Sequence, residues 1–285
     1  MHSHPLIEPL ALQALLARGT GHVRVCDCSF DLADPTAGER AFALGHIPGA
    51  AYLHLDRDLS TAKTGRNGRH PLPARDAFAA RMAALGADDD TLLVACDAQG
   101  GMFAARLWWM LRWVGHARVV VLDGGLPAWS AAGGAIETGS AAPAPRSGRF
   151  SLRPALVDTI DAATLRARLG EPRQQILDAR SADRFRGENE TLDPVAGHIP
   201  GALNRPFKDN LDDAGRFLPL PVLRAQWQAV LAGRSPATLV HQCGSGVTAC
   251  HNLLALQALG LDGGVLYPGS WSEWCAQQGA PVATG

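Results

Sequence analysis

The sequence predicts an α/β protein of two tandem domains, each a mainly parallel sheet flanked by helices. Three observations carry that prediction. The segment G-H-I-P-G-A occurs twice, at residues 45–50 and 197–202. Other landmarks follow in the same order in both halves. Val25-Cys26-Asp27 answers Ile176-Leu177-Asp178, the run 92–97 answers 238–243, and 121–125 with Trp129 answers 266–270 with Trp274. Between the landmarks, short apolar runs alternate with helix-period segments, the pattern of strand–helix–strand units. One order of landmarks read twice means one fold built twice. The offset between matched residues moves from 152 at the G-H-I-P-G-A copies to 145 at the tryptophans, as loop insertions and deletions would make it.

In chain order, residues 23–28, 92–95 and 118–122 read as strands buried on both faces, because they are almost continuously apolar. Residues 73–85 and 102–114 read as helices. Residues 139–150, rich in proline and small residues, cannot build a core and read as a linker. The expected division is therefore a first domain over 1–138, a linker over 139–150 and a second domain over 151–285. In the second domain the apolar run 237–240 leads into the tight loop H-Q-C-G-S-G-V-T-A-C at 241–250, and a helical pattern follows to Gly260.

Composition excludes several classes. The chain has 285 residues, 47% of them apolar, and a net charge of −1. Its Lys and Arg are scattered, with no basic stripe for nucleic acid. No leader-like or membrane-spanning run is read at the start of the sequence. The expectation is a cytoplasmic protein with reduced thiols. Among the six cysteines there is no C-x-x-C pair and no zinc-type His/Cys spacing, so neither metal nor cofactor is expected. Cys26 and Cys28 alternate in an apolar stretch and read as small residues in or beside a buried strand.

The loop at Cys243 falls where ligands bind in open α/β sheets, beyond the carboxyl end of a strand. A free cysteine ionises near pH 8.5. Making it mostly thiolate at neutrality takes about 3 kcal/mol, more than the ~0.3–1 kcal/mol a helix N-terminus usually supplies. Several main-chain N–H groups would have to converge on the sulfur as well. Gly244 and Gly246 permit backbone angles that would allow it, and Val247 and Thr248 would begin the helix. The competing reading is an inert buried cysteine before a tight turn. The other half places Asp97 at the matching position, so the fold itself does not require cysteine there, and a carboxylate could occupy that first cradle without sulfur chemistry.

The loop Cys243-Gly244-Ser245-Gly246-Val247-Thr248-Ala249 resembles the active-site loop of the rhodanese superfamily, and is most like that of 3-mercaptopyruvate sulfurtransferases, which carry C-G-S/T-G-V-T-A. The resemblance covers almost the whole chain. It includes both G-H-I-P-G-A segments, Asp178-Ala179-Arg180 followed by Arg184-Phe185-Arg186-Gly187, and Leu122-Asp123-Gly124-Gly125 with Trp129. It implies tandem rhodanese-like domains with the nucleophile in the second, and transfer of sulfur through a Cys243 persulfide to a thiol or cyanide acceptor.

The resemblance also implies site roles. Arg184 matches an arginine that grips the donor's carboxylate or carbonyl; the plainer reading is a surface arginine paired with an acid. Gly244, Gly246, Val247 and Thr248 would line the donor. Ser245, His70 and Asp56 match a serine, histidine and aspartate that handle protons, against plainer readings of His70 as a loop histidine and Asp56 as a helix cap or ion pair. Two of these three lie in the first half, which implies a pocket between the domains. The insert 188–196, E-N-E-T-L-D-P-V-A, lacks the second substrate arginine usual in the mercaptopyruvate enzymes and holds three acids instead. Arg186 and Arg205 are the candidates to replace it. His46 and His198, present in both halves, read as structural hydrogen-bonding residues. Cys250 reads as a buried helical thiol rather than a resolving one.

A cysteine phosphatase needs an arginine six residues after its nucleophile, and here that position is Ala249. The neutral loop suits a monoanionic carboxylate donor better than dianionic thiosulfate. The alternatives are a thiosulfate:cyanide sulfurtransferase and a persulfide carrier loaded by a partner protein. The expected partners are a small sulfur donor and a thiol acceptor such as thioredoxin or a low-molecular-weight thiol, with no nucleic acid and no membrane.

Overall fold

The computed structural model describes residues 4–19, 22–140, 146–171 and 174–285. It divides into two compact units. The first takes Met1–Thr61, Pro73–Leu156 and Asp212–Phe217; the second takes Ala62–Leu72, Val157–Leu211 and Leu218–Gly285. Two segments thus depart from a division by chain halves, since each unit includes a short piece of the other half. Residues 141–145 of the expected linker lie outside the described residues.

In the first unit, strands β1 (Leu6–Ile7), β2 (Val23–Asp27), β3 (Ala51–Tyr52), β4 (Leu92–Cys96) and β5 (Val119–Leu122) form a parallel sheet in the order β1-β5-β4-β2-β3. Its central strand β4 is buried on both faces, with Leu93, Val94, Ala95 and Cys96 at 1% exposure or less. That burial is why these strands read as continuous apolar runs. Helices Arg75–Ala84 and Ala104–Trp113 match the expected helices to within two residues at each end. Cys26 lies in β2 and Cys28 just past it, both fully buried, and burial pushes the Cys26 thiol up to about 12. Both behave as small packing residues.

The second unit repeats the plan. Strands β6 (Gln175–Asp178), β7 (Leu203–Asn204), β8 (Leu239–Gln242) and β9 (Val265–Leu266) form a parallel sheet ordered β7-β6-β8-β9. This order matches β3-β2-β4-β5 strand for strand. Where β1 lines β5, the second unit has a parallel bridge from Thr159 to Leu266. Strand β8 starts two residues later than expected, because Pro236–Thr238 closes into a 3-10 turn.

The two G-H-I-P-G-A segments do the same work in each unit. His46 Nδ1 donates to the Phe42 carbonyl and His198 Nδ1 to the Phe185 carbonyl, both at 2.8 Å. Each ring stacks on that same phenylalanine at 3.7 Å between centroids. Trp129 and Trp274 likewise each donate an indole N–H to a carbonyl six or seven residues on, at 2.9 Å. Both histidines therefore hold a helix end against the segment that leads into β3 or β7.

The loop after β4 is filled by its own first residue. Asp97, fully buried, accepts from the main-chain N–H groups of Gln99 and Gly101 at one oxygen and of Phe103 and Ala104 at the other, at 2.8–2.9 Å. Four donors at the start of a helix are met by one carboxylate. Removing it strands several buried donors at roughly 1–3 kcal/mol each. Asp97→Ala is expected to lower the stability of the first unit by about 3 kcal/mol or more, read from urea denaturation. Asp97→Asn should also destabilise it, because an amide NH2 would face two N–H donors.

Candidate functional site

In the second unit the corresponding loop begins at Cys243, at the carboxyl end of β8, and leads into helix Ala249–Ala258. The helix starts at Ala249 with Thr248 at its N-cap, one or two residues later than expected. The main-chain N–H groups of Gly244, Ser245, Val247 and Thr248 donate to no protein oxygen among the described residues. Where the Asp97 carboxylate uses up such donors in the first unit, the Cys243 side chain has no oxygen and leaves these four unspent.

The two loop glycines serve different ends. Gly246 sits in the left-handed region (φ +75°), and a Cβ there would meet the Pro268 carbonyl oxygen at 2.2 Å. Gly244 is not left-handed, so it is not needed for its backbone angle. A Cβ on it would lie 2.8 Å from Nη2 of Arg69 and 3.6–3.7 Å from the Nη atoms of Arg184. Gly244 makes room for two guanidinium groups beside the cysteine.

The loop is fixed from the other side by the segment after β9. The Cys243 N–H donates to Ser270 Oγ at 3.1 Å, and Ser270 Oγ donates to the Tyr267 carbonyl at 2.9 Å. The Cys243 and Gly244 carbonyls accept from Trp271 and Ser272 N–H groups at 3.0 and 2.9 Å. Ser270 holds φ +53°, in the place where the first unit has Gly125 at +57°. A non-glycine residue costs of order 1 kcal/mol there, and the hydroxyl that positions Cys243 comes with it.

Around the loop lies a cluster of balanced charge. Arg180, almost fully buried, makes a two-pronged ion pair with Asp178 (Nη2–Oδ2 2.7 Å, Nε–Oδ2 3.0 Å) and lies over the Trp271 ring at 4.8 Å. Burial works against its charge, but Asp178, Glu190 and the Cys243 sulfur outweigh it and hold the guanidinium above its ordinary value. Arg184, on helix Ala182–Arg186, donates to both Glu190 oxygens at 2.8–3.1 Å and to Asp193 at 3.3 Å. Burial opposes ionisation of Glu190, yet hydrogen bonds from Arg184, Leu192 N–H and Asp193 N–H keep its carboxyl below the usual value. At Asp193 burial prevails over the pull of Arg69 and raises the carboxyl. Arg69, Arg180 and Arg184 thus meet Asp178, Glu190 and Asp193 in equal number.

His70 belongs to this unit, not to the one its half of the chain suggested. It is buried, and a 2.7 Å hydrogen bond joins its Nδ1 to Ser245 Oγ. The segment is held by the Arg69 N–H donating to Ser272 Oγ at 2.9 Å and by Gly68 packed on Gly269. A residue from the first half of the chain thus reaches Ser245, through a segment that packs with the second unit. Asp56 is half-buried in the first unit, its N–H donating to His54 Nδ1.

Cys243 itself is 2% exposed; Val247 and Thr248 beside it are buried too. Arg186 and Arg205, the expected substitutes for the missing arginine, are engaged elsewhere. Arg186 pairs with Glu188 at 2.7 Å, and Arg205 donates to Gln226 and lies over Trp227. Cys250 is fully buried and donates to the Gly246 carbonyl at 3.3 Å, as a packed helical thiol would. Arg69, Arg180, Glu190, Asp193 and Ser270 were not singled out from the sequence. Arg69 stands directly before His70, and that adjacency was the available signal.

Comparison with known proteins gives this arrangement its family. The model of the rhodanese-like domain matches residues 10–132 and again 161–277. The chain belongs to the rhodanese family, as a tandem of two such domains. It is 49% identical to a Pseudomonas aeruginosa protein named "Probable 3-mercaptopyruvate sulfurtransferase", over 97% of this chain and 98% of that one. It is 34% identical to thiosulfate/3-mercaptopyruvate sulfurtransferase 2 of Arabidopsis thaliana, over 93% of this chain and 82% of the relative. Among solved structures, 3-mercaptopyruvate sulfurtransferase from Leishmania major superimposes with a TM-score of 0.84 at 31% identity, covering 94% of this chain and 73% of that one.

The different duties of the glycines are testable by stability. Gly246→Ala is expected to cost about 2 kcal/mol or more, since both its backbone angle and the Pro268 carbonyl forbid a side chain. Gly244→Ala meets no main-chain atom, only the outer nitrogens of Arg69 and Arg184, which need give by only a few tenths of an ångström, and should cost less than about 1 kcal/mol. Urea denaturation of the two variants compares them directly.

Proposed function

We propose that this chain is a sulfurtransferase that takes sulfur from 3-mercaptopyruvate onto Cys243 and passes it to a thiol or cyanide. One observation carries the reading: a cysteine among unspent main-chain N–H donors, with two guanidinium groups directly beside it. The names of the full-length relatives support it.

The Cys243 thiolate attacks the donor's sulfur. An S–S bond forms, the C–S bond breaks, and the electron pair leaves on carbon as the enolate of pyruvate, which a proton at C3 completes. The acceptor thiolate then attacks the outer sulfur of the persulfide, its S–S bond to Cys243 breaks, and Cys243 leaves as thiolate. Arg184 holds the donor's carboxylate, and Gly244, Gly246, Val247 and Thr248 line the space its sulfur enters. Ser245 and His70, joined by a hydrogen bond, handle the proton between thiol and enolate. A proton-handling part for Asp56 rests on the family resemblance.

Charge favours 3-mercaptopyruvate over thiosulfate. Three arginines are already matched by three carboxylates, so a monoanion disturbs the balance less than a dianion does. Thioredoxin or a small thiol is the acceptor we propose, in the cytoplasm. All six cysteines are free, which suits a reducing compartment. Among the described residues no helix is long and apolar enough to cross a membrane.

Steady-state kinetics with cyanide as acceptor should give a higher kcat/KM for 3-mercaptopyruvate than for thiosulfate; the reverse order overturns the donor assignment. Strong turnover with small donors alone excludes a carrier loaded only by a partner protein. Cys243→Ser should abolish transfer and Cys250→Ser keep most of it. Mass spectrometry after donor treatment should find one added sulfur on the Cys243 peptide. Arg184→Ala should raise KM while leaving alkylation by a neutral reagent little changed.

A further inference from the structure

We propose that Arg69 is the second carboxylate-binding guanidinium of this site, paired with Arg184 over Gly244 and aimed there by Asp193. The proposal deepens the preceding reading, since it rests on a donor that carries a carboxylate beside its sulfur.

Four observations converge on it. The Nη2 of Arg69 lies 2.8 Å from the Cβ position of Gly244, nearer than either Nη of Arg184. Only Nη1 of Arg69 is used within the protein, on Asp193 Oδ1 at 2.5 Å and the Leu192 carbonyl at 3.4 Å. Its Nη2 and its buried Nε have no partner among the described residues. The Nη1 of Arg184 is likewise unspent, because Glu190 and Asp193 take Nε and Nη2. Two arginines from distant segments therefore leave donors over the same glycine, next to the cysteine.

Their orientation is imposed. Asp193, only 3% exposed, accepts from Arg69 at one oxygen and from Arg184 at the other. The main chain of Arg69 is pinned through Ser272, and Gly68 before it has φ +83° with no room for a Cβ against the Gly269 carbonyl at 2.8 Å. Both side chains keep a fifth of their surface exposed, whereas Cys243 keeps 2%. A planar carboxylate arriving at the site meets two forks set for it. The insert 188–196, acidic and without arginine, supplies the anchor for an arginine that comes from elsewhere.

The test compares two alkylating reagents at Cys243. In both, the thiolate displaces iodide and forms a C–S bond; iodoacetate carries a carboxylate and iodoacetamide does not. Labelling of the Cys243 peptide is followed by mass spectrometry. Arg69→Gln is expected to lower the iodoacetate-to-iodoacetamide rate ratio at least fivefold and to raise KM for 3-mercaptopyruvate about tenfold, with kcat changed less. Arg69→Lys, which keeps the charge but not the fork, should lower the ratio by a smaller factor, and serves if the glutamine variant does not fold. A purely structural role would change both alkylation rates together. A ratio equal to that of the unaltered protein in either variant overturns the proposal. If the protein fails to turn over 3-mercaptopyruvate while the ratio still falls in the variants, the donor assignment fails and the carboxylate-binding role of Arg69 stands.

Discussion

Where a parallel strand turns into a helix, several main-chain N–H groups point into one small space, and an acceptor must meet them. This chain answers the requirement twice with the same fold and two different residues. In the first unit the Asp97 carboxylate takes four of these donors and fills the loop. In the second unit Cys243 stands at the loop's head and, among the described residues, the N–H groups of Gly244, Ser245, Val247 and Thr248 donate to no protein oxygen, so the loop is open to an anionic sulfur. The surrounding features serve that loop. Gly246 lets it pass under the Pro268 carbonyl, and Ser270 accepts a strained backbone in order to hold the Cys243 N–H.

Buried charge imposes the second constraint. Guanidinium groups near a dry cysteine are costly unless each is paired, and removing one partner of such a pair typically costs ~3–5 kcal/mol. Arg180 is matched by Asp178 and Glu190, Arg184 by Glu190 and Asp193, and Arg69 by Asp193. The acids of the insert therefore do not repel a carboxylate donor so much as hold the arginines in place. With the pairing already balanced, the unspent N–H donors of the guanidinium groups, rather than their net charge, select the ligand.

Much of the fold was legible in the sequence. The doubled G-H-I-P-G-A segment marks the stacked pairs His46–Phe42 and His198–Phe185, and the two-faced apolar runs are β2, β4 and β5. Burial on both faces leaves a continuous apolar signal, and a duplicated fold repeats its packing contacts at a nearly constant offset. Part of the site was legible for the same reason, since Cys243, Ser245 and the glycines are consecutive. The roles of the glycines were not separable, because freedom of backbone and freedom of space leave the same residue in the sequence. Nor could Arg186 and Arg205 be set aside, since their partners Glu188 and Gln226 decide the matter only once folded.

The sequence by itself determined the strand–loop–helix unit, its duplication, and which copy has a sulfur nucleophile at its head. These follow from short-range patterns, where side-chain period and turn chemistry act within a few residues. The tertiary structure alone decided what surrounds that sulfur. It sets His70 against Ser245 across 175 residues of chain and Arg69 against Asp193 across 124. Contacts of that span arise only when a segment from one half of the chain packs into the unit formed by the other, and no local pattern encodes such a choice.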